Sequence, residues 1–144
     1  MISDNFITVT ASLRVSIEIA WNLWTQPEHI IHWNHASEEW TCPNAETDFK
    51  VGGRYTFRME AKDGSVGFDM SGTYLKIDKP RFLSYDMDDG RVIEVSFKEK
   101  NGITEITEIT EKFEPESIHS RELQQQGWQA ILNNFKRYAE HHEG

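Results

Sequence analysis

The stretch DFKVGGRYTFRMEAKDGSVGFDMSGTY, residues Asp48 to Tyr74, decides the fold. Tyr55, Phe57 and Met59 alternate with polar residues and share one face of a strand; Val66, Phe68 and Met70 share one face of the next. Gly52-Gly53 turns the chain into the first strand, and Lys62-Asp63-Gly64 turns it between the two. A two-stranded ribbon is at best marginal alone, so this much apolar surface needs a cover. The end of the chain supplies one. Trp128, Ile131, Leu132, Phe135, Tyr138 and Ala139 fall at i, i+3, i+4, i+7, i+10 and i+11, the stripe of a long amphipathic helix.

Working outward, Phe6 to Ser16 alternates with Ile7, Val9, Ala11, Leu13 and Val15 on one face, which predicts a half-buried strand. Ser16 can cap a helix carrying Ile17, Ala20, Trp21 and Trp24. Thr25-Gln26-Pro27 ends that helix, and Pro27 suits the first turn of a short second one, Glu28 to Trp33. Thr41 to Phe49 contains Pro43 and reads as a poor edge strand. Strands are expected over Gly53 to Ala61, Ser65 to Ile77, Arg81 to Met87, Arg91 to Lys98 and Ile103 to Phe113. The turns Asp88-Asp89-Gly90 and Asn101-Gly102 mark hairpins among them, and Pro115 ends the run. The expectation is an α+β helix-grip fold in a single domain: about seven antiparallel strands in the order β-α-α-β6-α, curved around the C-terminal helix.

The chain has 144 residues, 38% hydrophobic, enough for a core without metals or disulfides. A net charge of −9, with Lys136-Arg137 the largest basic grouping, argues against nucleic acid and anionic membranes as partners. No apolar run reaches the roughly 20 residues of a membrane span, so no membrane insertion is expected. The N-terminus lacks the pattern of a secretory signal, and Cys42 is the only cysteine, so a reducing cytoplasm is the expected location. The meander edges could pair, but Glu94, Lys98 and Glu99 would discourage it, which predicts a monomer or weak dimer.

Ile103-Thr104-Glu105, Ile106-Thr107-Glu108 and Ile109-Thr110-Glu111 repeat with a period of three, which fits neither strand nor helix. Strand alternation must then set at least one glutamate on the same face as an isoleucine. A bulge or a solvated edge would absorb it; otherwise a carboxylate faces a partly hydrated interior. Glu108, which shares parity with Thr104, Ile106 and Thr110, is the candidate.

At this point AWNLWTQPEHIIHW (Ala20–Trp33), DFKVGGRYTF (Asp48–Phe57), GTY (Gly72–Tyr74) and GWQAILNNFKRYAE (Gly127–Glu140) together resemble the START-like (SRPBCC) superfamily. Within it, the resemblance is to the branch similar to the C-terminal domain of the activator of the heat-shock-90 ATPase. It implies a cavity between sheet and last helix, and docking on an ATPase chaperone, to which an additional N-terminal domain contributes in the eukaryotic activators. Relatives by fold include cyclases, dehydratases and hydrolases of aromatic or polyketide compounds.

The leading expectation is a stand-alone module binding a small hydrophobic or amphipathic molecule. Tyr55, Phe57, Met59, Phe68, Met70, Tyr74 and Tyr85 would form the sheet wall, Trp128 and Leu132 the helix wall, and Trp33, His35 and Trp40 the entrance. Gly127, inside a helix where glycine costs about 1 kcal/mol, suggests close approach, open space or tight packing. If the protein were an enzyme, Glu108 and His35 would be the ionisable candidates. His29, His32 and His35 recur every three residues, but the tetrahedral set and supporting partners of a zinc site are missing, so no metal is expected. His141-His142 lies where a terminus would fray. Cys42, followed by Pro43, has no histidine at a telling spacing for a nucleophile. No phosphate loop, dinucleotide fingerprint or nucleophile elbow occurs, and no cofactor is expected.

Overall fold

Ser16 marks the passage from strand to helix. Its hydroxyl accepts the Ile19 amide at 3.3 Å, capping α1 (Ile17–Thr25) directly after β1 (Ile7–Leu13). Gln26 is at once the C-cap of α1 and the N-cap of α2 (Pro27–Trp33), where Pro27 occupies the first turn and loses no hydrogen bond. The computed structural model describes residues 6–142.

Six strands follow in meander order: β2 (Trp40–Thr47), β3 (Arg54–Ala61), β4 (Gly67–Asp78), β5 (Phe82–Asp86), β6 (Val92–Lys100) and β7 (Ile103–Phe113). With β1 returning beside β7, they form one antiparallel sheet in the order β1-β7-β6-β5-β4-β3-β2. The sheet curls as a half-barrel, and α3 (Arg121–His141) lies in it. Ser120 caps α3 by accepting the Leu123 amide at 3.1 Å. The side chain of Gln124, itself buried, ties the preceding loop down, accepting the Glu116 amide at 2.9 Å and donating to the His119 carbonyl at 2.9 Å.

The open edges of the sheet are β1 and β2, not the strand bearing Glu94, Lys98 and Glu99. That strand is β6, paired on both sides, so those charges sit in mid-sheet and say nothing about dimerisation. The β1 edge is covered from within: the amides of Gln125 and Gln129 on α3 donate to the carbonyls of Thr8 and Thr10 at 3.3 and 3.1 Å.

The core gathers where α1 and α2 meet α3 over the sheet. The indoles of Trp24 and Trp33 lie 4.7 Å apart between centroids, and each stands edge-on to Phe135 at 4.9 Å. Trp21 and Trp24 also reach Phe97 of β6 at 5.3 and 5.9 Å. This packing fixes α1, α2 and α3 against one another and against β6.

Candidate functional site

Beside this aromatic cluster, on the other side of Trp24 and Trp33, the helices and the sheet part. A cavity of about 70 Å³ remains between them. Its sheet wall is Tyr55 and Phe57 from β3, Met70 and Tyr74 from β4, Leu83 and Tyr85 from β5, and Glu111 from β7. Its helix wall is Trp24, Thr25, Ile30 and Trp33 from α1 and α2, with Trp128 and Ile131 from α3. The space suits a few waters or a small chemical group, whereas sites for whole drug-sized ligands run from roughly 300 Å³. An open groove of about 770 Å³ adjoins it. Asn34, Met70, Trp128 and Ile131 line both spaces and so form the partition between them.

Some polar groups of the cavity are already committed. Thr25 donates to the Trp21 carbonyl at 2.8 Å, the Trp33 indole to the Leu23 carbonyl at 3.0 Å, and the Tyr55 hydroxyl to the Asp86 carbonyl at 2.7 Å. Five are not. The hydroxyls of Tyr74 and Tyr85, the carboxyl of Glu111 and the indole N–H groups of Trp24 and Trp128 have no hydrogen-bonding partner among the described residues, and since no fully buried polar side-chain atom there is left unpaired, each keeps some surface open to the cavity.

Glu111 is 4% exposed, and no lysine, arginine or histidine lines the cavity beside it. Burial in apolar surroundings disfavours its charge and pushes its pKa up to about 8. Burial likewise raises Tyr74, and raises Tyr85 well above the ordinary phenol value, with the neighbouring Glu111 adding to the effect. The site is therefore an aromatic chamber with one carboxyl whose burial favours its neutral form.

Seven of the expected ligand-binding residues come together here: Trp33, Tyr55, Phe57, Met70, Tyr74, Tyr85 and Trp128. Met59 and Phe68 lie on the outer groove instead, because β3 and β4 run past the end of the cavity. Phe68 is half exposed, with Trp40 edge-on at 6.0 Å, and Trp40 itself lines a separate depression with Glu38 and Lys62. Leu132 is fully buried in the core and does not reach the cavity. His35 turns toward α3, where its carbonyl accepts the Asn134 amide at 2.8 Å and its ring nitrogen meets the same amide at 2.9 Å.

Glu108 is corrected by strand parity. On β7 the buried residues are Thr107, Ile109, Glu111 and Phe113, so Glu108 takes the opposite face and pairs with Lys98 at 3.2 Å. The interior carboxylate is Glu111. The sequence held the signal that would have found it: Phe113, a large aromatic at the strand's end, shares parity with Ile109 and Glu111, whereas Glu108 sits in register with threonines and Lys112.

The histidines are brought together in a way the sequence did not suggest. His32 and His142 each stack on Tyr138, at 5.6 and 5.3 Å, and His29 Nδ1 lies 2.7 Å from the Tyr138 hydroxyl. Burial, and then the neighbouring His142, lower the pKa of His29. Among the described residues no three His, Cys, Asp or Glu side chains are placed to hold a metal ion. Burial pushes the Cys42 thiol up, the reverse of what activates a nucleophile.

Residues 14–140 match the family described as Activator of Hsp90 ATPase homolog 1-like protein. The solution structure of an AHSA1-like protein from Aeromonas hydrophila is 42% identical, over 96% of this chain and 98% of that one, with a TM-score of 0.85. A protein of Cytophaga hutchinsonii is 43% identical, over 97% and 98% of the two chains, with a TM-score of 0.81. A protein of Nitrosomonas europaea, 16% identical over 96% of each chain, shares the fold at a TM-score of 0.79. No functionally curated protein matches the sequence. No helix among the described residues is long and apolar enough to cross a membrane.

Proposed function

The chain belongs to the family of Activator of Hsp90 ATPase homolog 1-like proteins, and on that premise we propose that it is a binding module for a small apolar or amphipathic molecule. The observation that carries this reading is Glu111: a carboxyl with no protein partner whose oxygens open onto an otherwise largely aromatic cavity. A protein interior that served packing alone would fill the space in front of such a group or pair it, since a polar group closed off without a partner costs about 1–3 kcal/mol. The guest places a small polar head in the cavity and its apolar body across the partition into the groove, where Met59, Phe68 and Met87 provide contact. Met70 and Trp128 are the residues that yield, methionine having the torsional freedom to do so.

Native mass spectrometry of protein purified without detergent tests this, together with indole titrated against the Trp24, Trp33 and Trp128 side-chain N–H signals. A co-purifying apolar compound, or saturable shifts of those signals, is the expected result. A mass equal to the bare chain together with unmoved signals would remove the reading.

The family's description favours a second reading, docking on an ATPase chaperone. Adding the protein to a purified Hsp90-type ATPase and measuring hydrolysis tests it, with stimulation the expected result.

A further inference from the structure

The cavity is small, enclosed by aromatic rings and furnished with donors. Glu111 on β7 and Tyr85 on β5 reach it from strands separated by β6, roughly 10 Å apart at the backbone. Register sets them diagonally, Tyr85 opposite Ile93 and Glu111 opposite Val95, so their side chains rise from the same face of the sheet, and both line the cavity. Neither hydroxyl nor carboxyl has a protein partner among the described residues.

We infer that Glu111 and Tyr85 are paired hydrogen-bond donors that select a guest carrying a neutral acceptor, a carbonyl oxygen, over a charged or purely hydrocarbon one. This rests on the binding reading above and specifies its ligand class. Three observations exclude the alternatives. An anionic head finds no lysine, arginine or histidine in the cavity, and the groove leading to it carries Asp69, Asp88, Asp89 and Glu116 against Arg91 and His119. An ammonium head requires the ionised carboxylate, which the apolar walls oppose. A hydrocarbon displaces the water that can reach both donors and leaves them unpaired. A carbonyl satisfies them, and the arrangement parallels the protonated carboxylic acid and tyrosine that bind a carbonyl oxygen in ketosteroid isomerase.

The charge state follows from the surroundings. Besides Glu111, the titratable groups facing the cavity are Tyr55, Tyr74 and Tyr85, all held protonated by burial, and α1, α2 and α3 present no charged side chain to it. One group titrates there, near pH 8.

Three probes of similar shape test the inference on the intact protein: acetophenone, α-methylstyrene and 1-phenylethylamine, each titrated by the shift of the tryptophan indole signals. Acetophenone is expected to bind roughly fivefold more tightly than α-methylstyrene at pH 7, a typical hydrogen-bond gain. That margin should vanish as pH rises above about 8, where the donor becomes a carboxylate. Glu111→Leu should bring the ketone down to the hydrocarbon's affinity. Glu111→Gln, which keeps a donor, should retain the margin and lose its pH dependence, and Tyr85→Phe should remove part of it. Equal binding of ketone and hydrocarbon at pH 7, or tighter binding of the amine than the ketone, would overturn the inference while leaving the binding reading intact. Binding of none of the three would overturn both.

Discussion

The indole of Trp128 lies flat on the ring of Phe113, their centroids 4.0 Å apart and their planes 12° from parallel. Phe113 is fully buried at the end of β7, so the fixed partner holds the half-buried one. Trp128 lines both the cavity and the groove, and this stack therefore holds the partition between them shut.

Removing the indole should join the two spaces. Trp128→Ala is expected to cost about 2 kcal/mol, below the 3–5 typical of a fully buried tryptophan because this ring is only half buried. Exchange of a bound probe should accelerate at the same time, measured by NMR line shape. Loss of stability with unchanged exchange would show that the ring packs without gating.

Stability should depend on pH through Glu111. Its pKa rises from 4.5 to about 8 on folding, so the folded state holds a proton that the unfolded chain releases between those values. The carboxyl contributes fully below pH 4.5, and that contribution falls as pH climbs to about 8. Glu111→Gln, always neutral, should escape the loss. In urea unfolding at pH 5 and pH 9, the variant should gain on the parent by several kcal/mol at the higher pH, each pKa unit corresponding to about 1.4 kcal/mol. A pH-independent difference would place the carboxyl in a wetter environment.

Gly72 should tolerate no side chain. A Cβ built there would stand 1.8 Å from the Asp86 carbonyl oxygen and 2.7 Å from the Tyr55 hydroxyl, the two atoms joined by their own hydrogen bond. Gly72→Ala should therefore destabilise by more than about 3 kcal/mol, because backbone and a buried ring must shift together. Tyr55→Phe, which removes only the hydroxyl, should cost about 1 kcal/mol. Thermal melts of both variants decide, and similar losses would mean that Gly72 has room to relax.

Gly127 presents the opposite case. Nothing lies within 4 Å of the Cβ it lacks, so of the accounts its place in a helix suggested, open space is the one realised. Gly127→Ala should stabilise by about 0.5–1 kcal/mol, raising the urea midpoint at unchanged slope. A lowered midpoint would mean the helix needs that glycine's freedom.

The strands, the Ser16 cap, the turn at Pro27 and the stripe of α3 were legible because each rests on periodicity or on a residue with one local preference. Tyr55, Phe57, Met70, Tyr74, Tyr85 and Trp128 were legible as a set for the same reason: the alternation that puts a residue inside also puts it near the cavity. Glu111 was not identified because a repeat of three offers both parities and so masks the parity it shares with Ile109 and the strand-end Phe113, which marks the inward face. His35, Trp40, Phe68 and Leu132 had the right residue types for a site, but depth along a curved sheet has no signature in spacing.

The sequence by itself determined the elements, their order and the apolar face of each, because these follow from backbone geometry within a few residues. Tertiary structure alone decided which apolar residues surround empty space and which fill it, and that one glutamate would face that space without a protein partner. Those outcomes depend on how far a curled sheet and the helix it holds stand apart, a distance set by all the packed side chains together.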